Sequence, residues 1–233
     1  MPPEASRHGP LPAALITLTV LTGLVDAVSF LRLGHVFVSN MTGNVVFLGF
    51  ALAGAGDIAP LRSLIALVAF AVGAAAGGRL SLSFGAHRGR FLCVTLAAES
   101  ALVGATLTLA FAPLGAPAGT VSAVQVGLLA IAMGLQTIAA RLLGVPDLTT
   151  TVITLPLTVL AAESFLGVGT NRNARHRSSA LVAMFGGALL GGALVLHRGV
   201  GPALVIALGM LAGLALWLAR AWSKISTWTK SAA

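Results

Sequence analysis

Apolar residues run along this chain in blocks about as long as a bilayer is thick, not in the two-residue alternation of strands or in one narrow helical stripe. Six blocks, roughly 11–31, 61–80, 91–111, 119–140, 178–197 and 200–219, each approach the length of about 20 residues that a spanning helix needs. Two further blocks, 36–55 and 146–166, are apolar but interrupted. The first carries Asn40-Met41-Thr42-Gly43-Asn44; the second carries Pro146-Asp147, Thr149, Thr150, Thr151, Thr154 and Pro156. The pattern predicts an all-α, polytopic membrane protein of six full spans with two broken, re-entrant segments. Eight full spans is the competing count.

Charge separates the two counts, because short cytoplasmic loops are enriched in Lys and Arg. With six spans and a cytoplasmic N-terminus, eleven basic residues fall inside and only Arg32, Arg62 and Arg198 fall outside. Eight spans divide the same residues 8 to 6. Six spans with both termini cytoplasmic is therefore the reading, with the first span retained rather than cleaved as a leader. Trp217 and Trp222, followed by Lys224 and Lys230, suit an interfacial anchor there.

Composition then excludes whole classes. Of 233 residues only 14 are basic and 6 acidic, 57% are hydrophobic, and the mean hydropathy is +0.98. A soluble protein is about 25% charged, so a water-soluble enzyme, a nucleic-acid binder and a disordered chain are set aside. The net charge of +8 marks orientation rather than a nucleic-acid stripe. Cys93 is the single cysteine and the five histidines are scattered, so neither a disulfide, a metal site nor a cofactor is expected.

The chain reads as one membrane domain over 1–233 with two related halves, 11–111 and 119–220. Gly23-Leu24 is matched by Gly134-Leu135, Leu33-Gly34 by Leu143-Gly144, and Ala69-x3-Gly73-x3-Gly77-Gly78 by Ala183-x3-Gly187-x3-Gly191-Gly192. With three full spans in each, the second half enters the membrane upside down. That is the inverted repeat of many secondary transporters, although abundant Ala and Gly can also match by chance. Gly73, Gly77, Gly187 and Gly191 are helix-packing positions on either view. The pattern leaves open whether they pack within one chain or hold a homo-oligomer together.

Polar side chains inside spans are costly and face a bundle interior or a cavity. Thr19, Thr22, Asp26 and Ser29 share one face of the first span; Thr95, Glu99 and Thr106 share one face of the third full span; Gln125 and Gln136 share one face of the fourth. Asp26, Glu99 and Gln136 are candidates for a solute or proton pathway, or for hydrogen bonds that hold the bundle. In Asn40–Asn44, Gly43 permits a close approach and Asn40, Thr42 or Asn44 can cap a half-helix whose positive end faces inward. Asp147 occupies the corresponding place in the second half. The cytoplasmic run 171–177 is a topology determinant or a surface for anionic headgroups.

Gly23-Leu24-Val25-Asp26-Ala27-Val28-Ser29-Phe30, Gly34, Phe37 and Asn40-Met41-Thr42-Gly43-Asn44 resemble the opening signature of the YoaK-like bacterial membrane proteins. Gly134-Leu135-Gln136, Arg141, Gly144-Val145-Pro146-Asp147 and Thr150 resemble that family's second motif region. The resemblance runs from about residue 13 to 220. It departs where a Thr-Gly echo of Thr42-Gly43 is expected and Thr154-Leu155 stands instead. It implies a multi-pass protein of the bacterial inner membrane and supplies no substrate and no catalytic residue.

Three functions remain on these grounds. The first is a small-solute permease of the secondary-transporter kind, working around Asp26, Asn40, Thr42, Gly43, Asn44, Glu99, Gln136 and Asp147. The second is a non-catalytic membrane partner or regulatory subunit. The third is an intramembrane enzyme, for which the chain offers neither G-x-S-x-G nor H-E-x-x-H. The reading taken is a permease in contact with lipid and a small solute, not an enzyme.

Overall fold

The computed structural model describes residues 9–55, 60–84, 87–111, 118–144, 150, 154–164, 169 and 174–222. Eight helices are described: α1 Leu11–Arg32, α2 Met41–Leu52, α3 Pro60–Phe84, α4 Arg88–Phe111, α5 Ala118–Leu143, α6 Thr154–Ala162, α7 Ala174–Arg198 and α8 Val200–Trp222. Six of these are long and apolar enough to cross a membrane, and they coincide with the six apolar blocks. The other two stop short. With 12 and 9 residues at about 1.5 Å of rise each, α2 and α6 fall well under the roughly 30 Å of a hydrocarbon core. The chain is a polytopic helical membrane protein, with six spanning helices among the described residues.

The helix ends follow local chemistry. Pro60 opens α3, where a missing N–H costs nothing. At the end of α1, Gly34 has φ +115 and His35 has φ +56, and the chain doubles back there. Arg62, at the start of α3, donates from Nη1 to the Leu33 carbonyl at 2.6 Å. The start of α3 thus lies at the end of the bundle where α1 finishes.

Packing joins the halves more than it consolidates each one. The largest seams are α1 against α7 and α3 against α5, so the first span of each half lies on the glycine-rich span of the other. A side chain at Gly187 would overlap the Val20 carbonyl, one at Gly191 would sit 2.7 Å from the Leu24 carbonyl, and one at Gly23 would overlap that of Met184. The second seam repeats this arrangement, with Gly73 on the Ile131 carbonyl, Gly77 on Leu135 and Ile138, and Gly134 on the Phe70 carbonyl. Backbones this close gain dispersion that lipid cannot replace. The glycines noted from sequence are used within one chain. Gly78, the second of its pair, has nothing within 4 Å.

The inner helices form a four-membered ring in which α1 meets α8, α8 meets α4, α4 meets α5 and α5 meets α1. Exchanging the halves maps this ring onto itself. Along each seam the residue numbers rise together, so the partners run parallel. The start of α8 at Gly201 meets the end of α4 at Phe111, so those two run antiparallel. Alternating hairpins then give α1 and α5 opposite directions, which is the inverted repeat. Val68, Val72, Val182, Phe185 and Leu189 are exposed on α3 and α7, on the outside of the ring where lipid lies.

Candidate functional site

Asp26 lies about two turns inside the end of α1, and its carboxyl fixes the path of the chain after the helix ends. Oδ1 accepts from the backbone N–H of Val38 at 3.0 Å and of Ser39 at 2.9 Å, and Oδ2 accepts from the Ser39 hydroxyl at 2.5 Å. Residues 36–39 therefore return alongside α1 toward the interior. Asn44 holds the same segment from the other side. Its Oδ1 accepts from the Phe37 N–H at 3.0 Å, and its Nδ2 donates to the Phe37 carbonyl at 2.6 Å. Both backbone groups of a half-buried, non-helical residue are thereby satisfied, as membrane depth requires. Phe30, Phe37 and Phe47 stack around this point, with Phe30 and Phe37 centroids 4.9 Å apart.

Asn40 then caps α2, accepting from the Gly43 N–H at 3.4 Å. From there α2 climbs back toward the end it came from, since α3 begins there. The first broken segment is re-entrant, with its tip at Asn40. In the second half α6 also begins inside and ends near Glu163, which pairs with Arg177 of α7 at 2.5 Å. The starts of α3 and α7 lie at opposite ends of the bundle, so α2 and α6 point inward from opposite ends.

Both inward ends reach one cavity of about 1000 Å³. Asp26, Asn40, Thr42 and Gly43 line it from the first half and Thr137 and Thr154 from the second, with Met184 and Ala188 of the α1–α7 seam in its wall. Gly43 sits tightly there, since a side chain would come 3.1 Å from the Phe37 ring. The site residues inferred from sequence thus separate into groups. Asp26, Asn40, Thr42 and Gly43 are together at the cavity, although Asp26 has committed both oxygens to the segment it holds. Asn44 stands behind them as a clamp. Asp147 lies outside the described residues.

Glu99 and Gln136 belong to a different place, the interior of the four-helix ring. Both are fully buried. Gln136 Nε2 donates to the Thr22 hydroxyl at 2.8 Å, linking α5 to α1, while Gln125 Nε2 donates to the Thr106 carbonyl at 3.2 Å, linking α5 to α4. The polar stripes on three helices do meet. Sequence reasoning missed Thr137 and Ser39, and it had Phe37 only as part of the signature, without a role. Thr137 follows Gly134-Leu135-Gln136 as Asp26 follows Gly23-Leu24-Val25, and that alignment was the signal available for it.

A family model described as "Protein of unknown function (DUF1275)" matches residues 14–217. The UPF0700 transmembrane protein YoaK of Bacillus subtilis (strain 168) is 34% identical over 145 residues, 60% of this chain and 61% of that protein. The chain thus matches less than two thirds of that relative's length. No solved structure matches.

Proposed function

We propose that this chain, which belongs to the DUF1275 family of multi-pass membrane proteins, is a small-solute permease of the secondary-transporter kind. It works in the bacterial inner membrane with both termini cytoplasmic. One observation carries the reading: two short helices from inversely oriented halves aim their first turns into one cavity. Solute sites in such transporters lie at the junction of the repeats, beside interrupted helices. Asn40 and Thr42 from α2, with Thr137 and Thr154 from the second half, supply hydrogen-bonding groups to a polar solute. Rocking of one half against the other would open this cavity to each side in turn. The orientation follows from the eleven basic residues assigned to the cytoplasmic side.

Uptake into proteoliposomes, screened over small solutes with and without a pH gradient, tests the function. At least one solute accumulates above empty vesicles, and Glu99→Gln lowers the gradient-dependent part on the order of tenfold. No flux for any solute, with no effect of Glu99→Gln on any phenotype, sinks the proposal. Orientation is read separately in a Cys93→Ser background. An impermeant thiol reagent reaches His197→Cys, at the end of α7, from the outer face and His87→Cys, just before α4, from the cytoplasmic face. The opposite result reverses the topology.

A further inference from the structure

The four-helix ring holds a polar group that its packing does not need. On α4, Phe91, Leu92, Thr95, Glu99 and Thr106 are buried; on α8, Ala203, Leu204, Ala207, Leu211 and Leu218 are buried, each 112 positions later. The two helices play the same part in the two halves. Where α4 carries Glu99, α8 fills the equivalent place with Leu211, so the layer can be closed by an apolar side chain. A buried carboxyl there has to be explained by something other than filling space.

Its hydrogen bonding points the same way. Neither oxygen of Glu99 has a partner among the described residues, nor does Oε1 of Gln136. The orientation of the Gln136 amide is determined by its neighbour. Thr22 gives its one hydroxyl proton to the Leu18 carbonyl at 2.9 Å, so it can only accept from Gln136, which must present its Nε2. The amide carbonyl is then left as a free acceptor. The pairing of Gln125 with Thr106 sets the antiparallel register of α5 on α4, and this puts Gln136 within about one helical turn of Glu99. Three buried acceptor atoms therefore lie within about one helical turn of each other with no donor among the described residues. A carboxylate and an amide carbonyl have only lone pairs to offer; no donor among the described residues meets them, and a proton or a metal cation fits such a group of acceptors.

We propose that Glu99 and the Gln136 carbonyl form a binding site for a small monovalent cation, a proton or Na⁺, separate from the solute cavity. Its role as the coupling-ion site rests on the permease reading above, whereas binding itself does not. Among the described residues no other charged group competes for it. The remaining buried ionisable residues described are Asp26, committed to Val38 and Ser39, and Arg177, paired with Glu163. On the helices packed against α4, Arg79, Arg141 and Arg220 are exposed and Arg62 is held by the Leu33 carbonyl. On α4 itself Arg90 is exposed, and Arg88 and Cys93 are half-buried. The equivalent place in the second half holds Leu211, so the repeat does not duplicate the site.

The test reads binding on the detergent-purified full chain. Thermal unfolding is compared in Na⁺, K⁺ and choline at equal ionic strength. Infrared difference spectra are taken across pH for the carbonyl stretch of a protonated carboxyl. A Na⁺-specific rise in Tm of roughly 5 °C at saturation, lost in Glu99→Gln and in Gln136→Leu, assigns Na⁺. A protonated-carboxyl band absent from Glu99→Gln and displaced in Gln136→Leu assigns the proton. Neither signal in the wild type overturns the proposal. Glu99→Leu, copying the α8 solution, folds like the wild type and binds no cation. Failure of that variant to fold while the other variants bind normally would make Glu99 a packing residue and overturn the site.

Discussion

Gly187→Val and Gly73→Val each abolish recovery of folded protein, while Gly186→Ala and Gly78→Ala, beside seam positions on the same helices, leave it unchanged. At Gly187 the new Cβ overlaps the Val20 carbonyl, and at Gly73 that of Ile131. Both obstacles are backbone, so no side chain can swing aside. The helices must separate, and separation forfeits the close approach on which association in lipid depends. The expected loss exceeds about 4 kcal/mol, in the tail reserved for substitutions that break packing outright. Gly186 and Gly78 have nothing within 4 Å and accept a methyl group. The monodisperse fraction after mild solubilisation, with Tm of what survives, checks the four variants together. A stable, monodisperse Gly187→Val would mean that α1 does not lie on α7. The two valine variants should match in size of effect, since the seams are related by the repeat.

Asp26→Ala is expected to release the re-entrant tip without dismantling the bundle. It strands the N–H groups of Val38 and Ser39, and a buried donor left unpaired costs about 1–3 kcal/mol, so about 2–6 kcal/mol for the two. Asp26→Asn keeps one oxygen acceptor and falls between, while Ser39→Ala removes one hydroxyl at about 1 kcal/mol. Hydrogen exchange at Val38 and Ser39 accelerates in the order Ser39→Ala, Asp26→Asn, Asp26→Ala, and Tm falls in that order. Equal exchange in all three would remove Asp26 from its positioning role. Solute uptake also falls in Asp26→Ala, because Asn40 and Thr42 lose their place at the cavity.

The spans were legible because hydrophobicity over about twenty residues is a one-dimensional property, read without knowing any partner. The interruption at Asn40 was legible for the same reason. The glycine pattern revealed small faces but not what they meet, since Gly187 and Val20 come together only through the crossing of the halves. Asp26 was the hardest to read. From sequence it is an acid on a polar helical face, a candidate for a pathway. Its actual partners are backbone amides 12 and 13 residues away and the Ser39 hydroxyl, brought there by the reversal at Gly34 and His35, and no side-chain pattern announces a backbone donor. Asn44 misleads in the same way, since its partner is the main chain of Phe37. Glu99 was read from depth alone, and the unpartnered state of its oxygens needed the three-dimensional ring.

The crossing of the halves also sets a timetable for biogenesis. Val20 finds its packing partner only when Gly187 has been made. At about 5–20 residues per second of synthesis, α1 therefore waits on the order of ten to thirty seconds in the membrane with its glycine face uncovered. Until α5 is made, the first three spans have no completed seam, and the insertion machinery or lipid must shield them; α1 goes on waiting for α7. A ribosome stalled between α4 and α5 would leave a half-molecule whose natural complement is the other half. The same half, inserted in both orientations, would be self-complementary. A split protein made as two fragments should therefore assemble within the bilayer, each fragment supplying the helix that the other lacks.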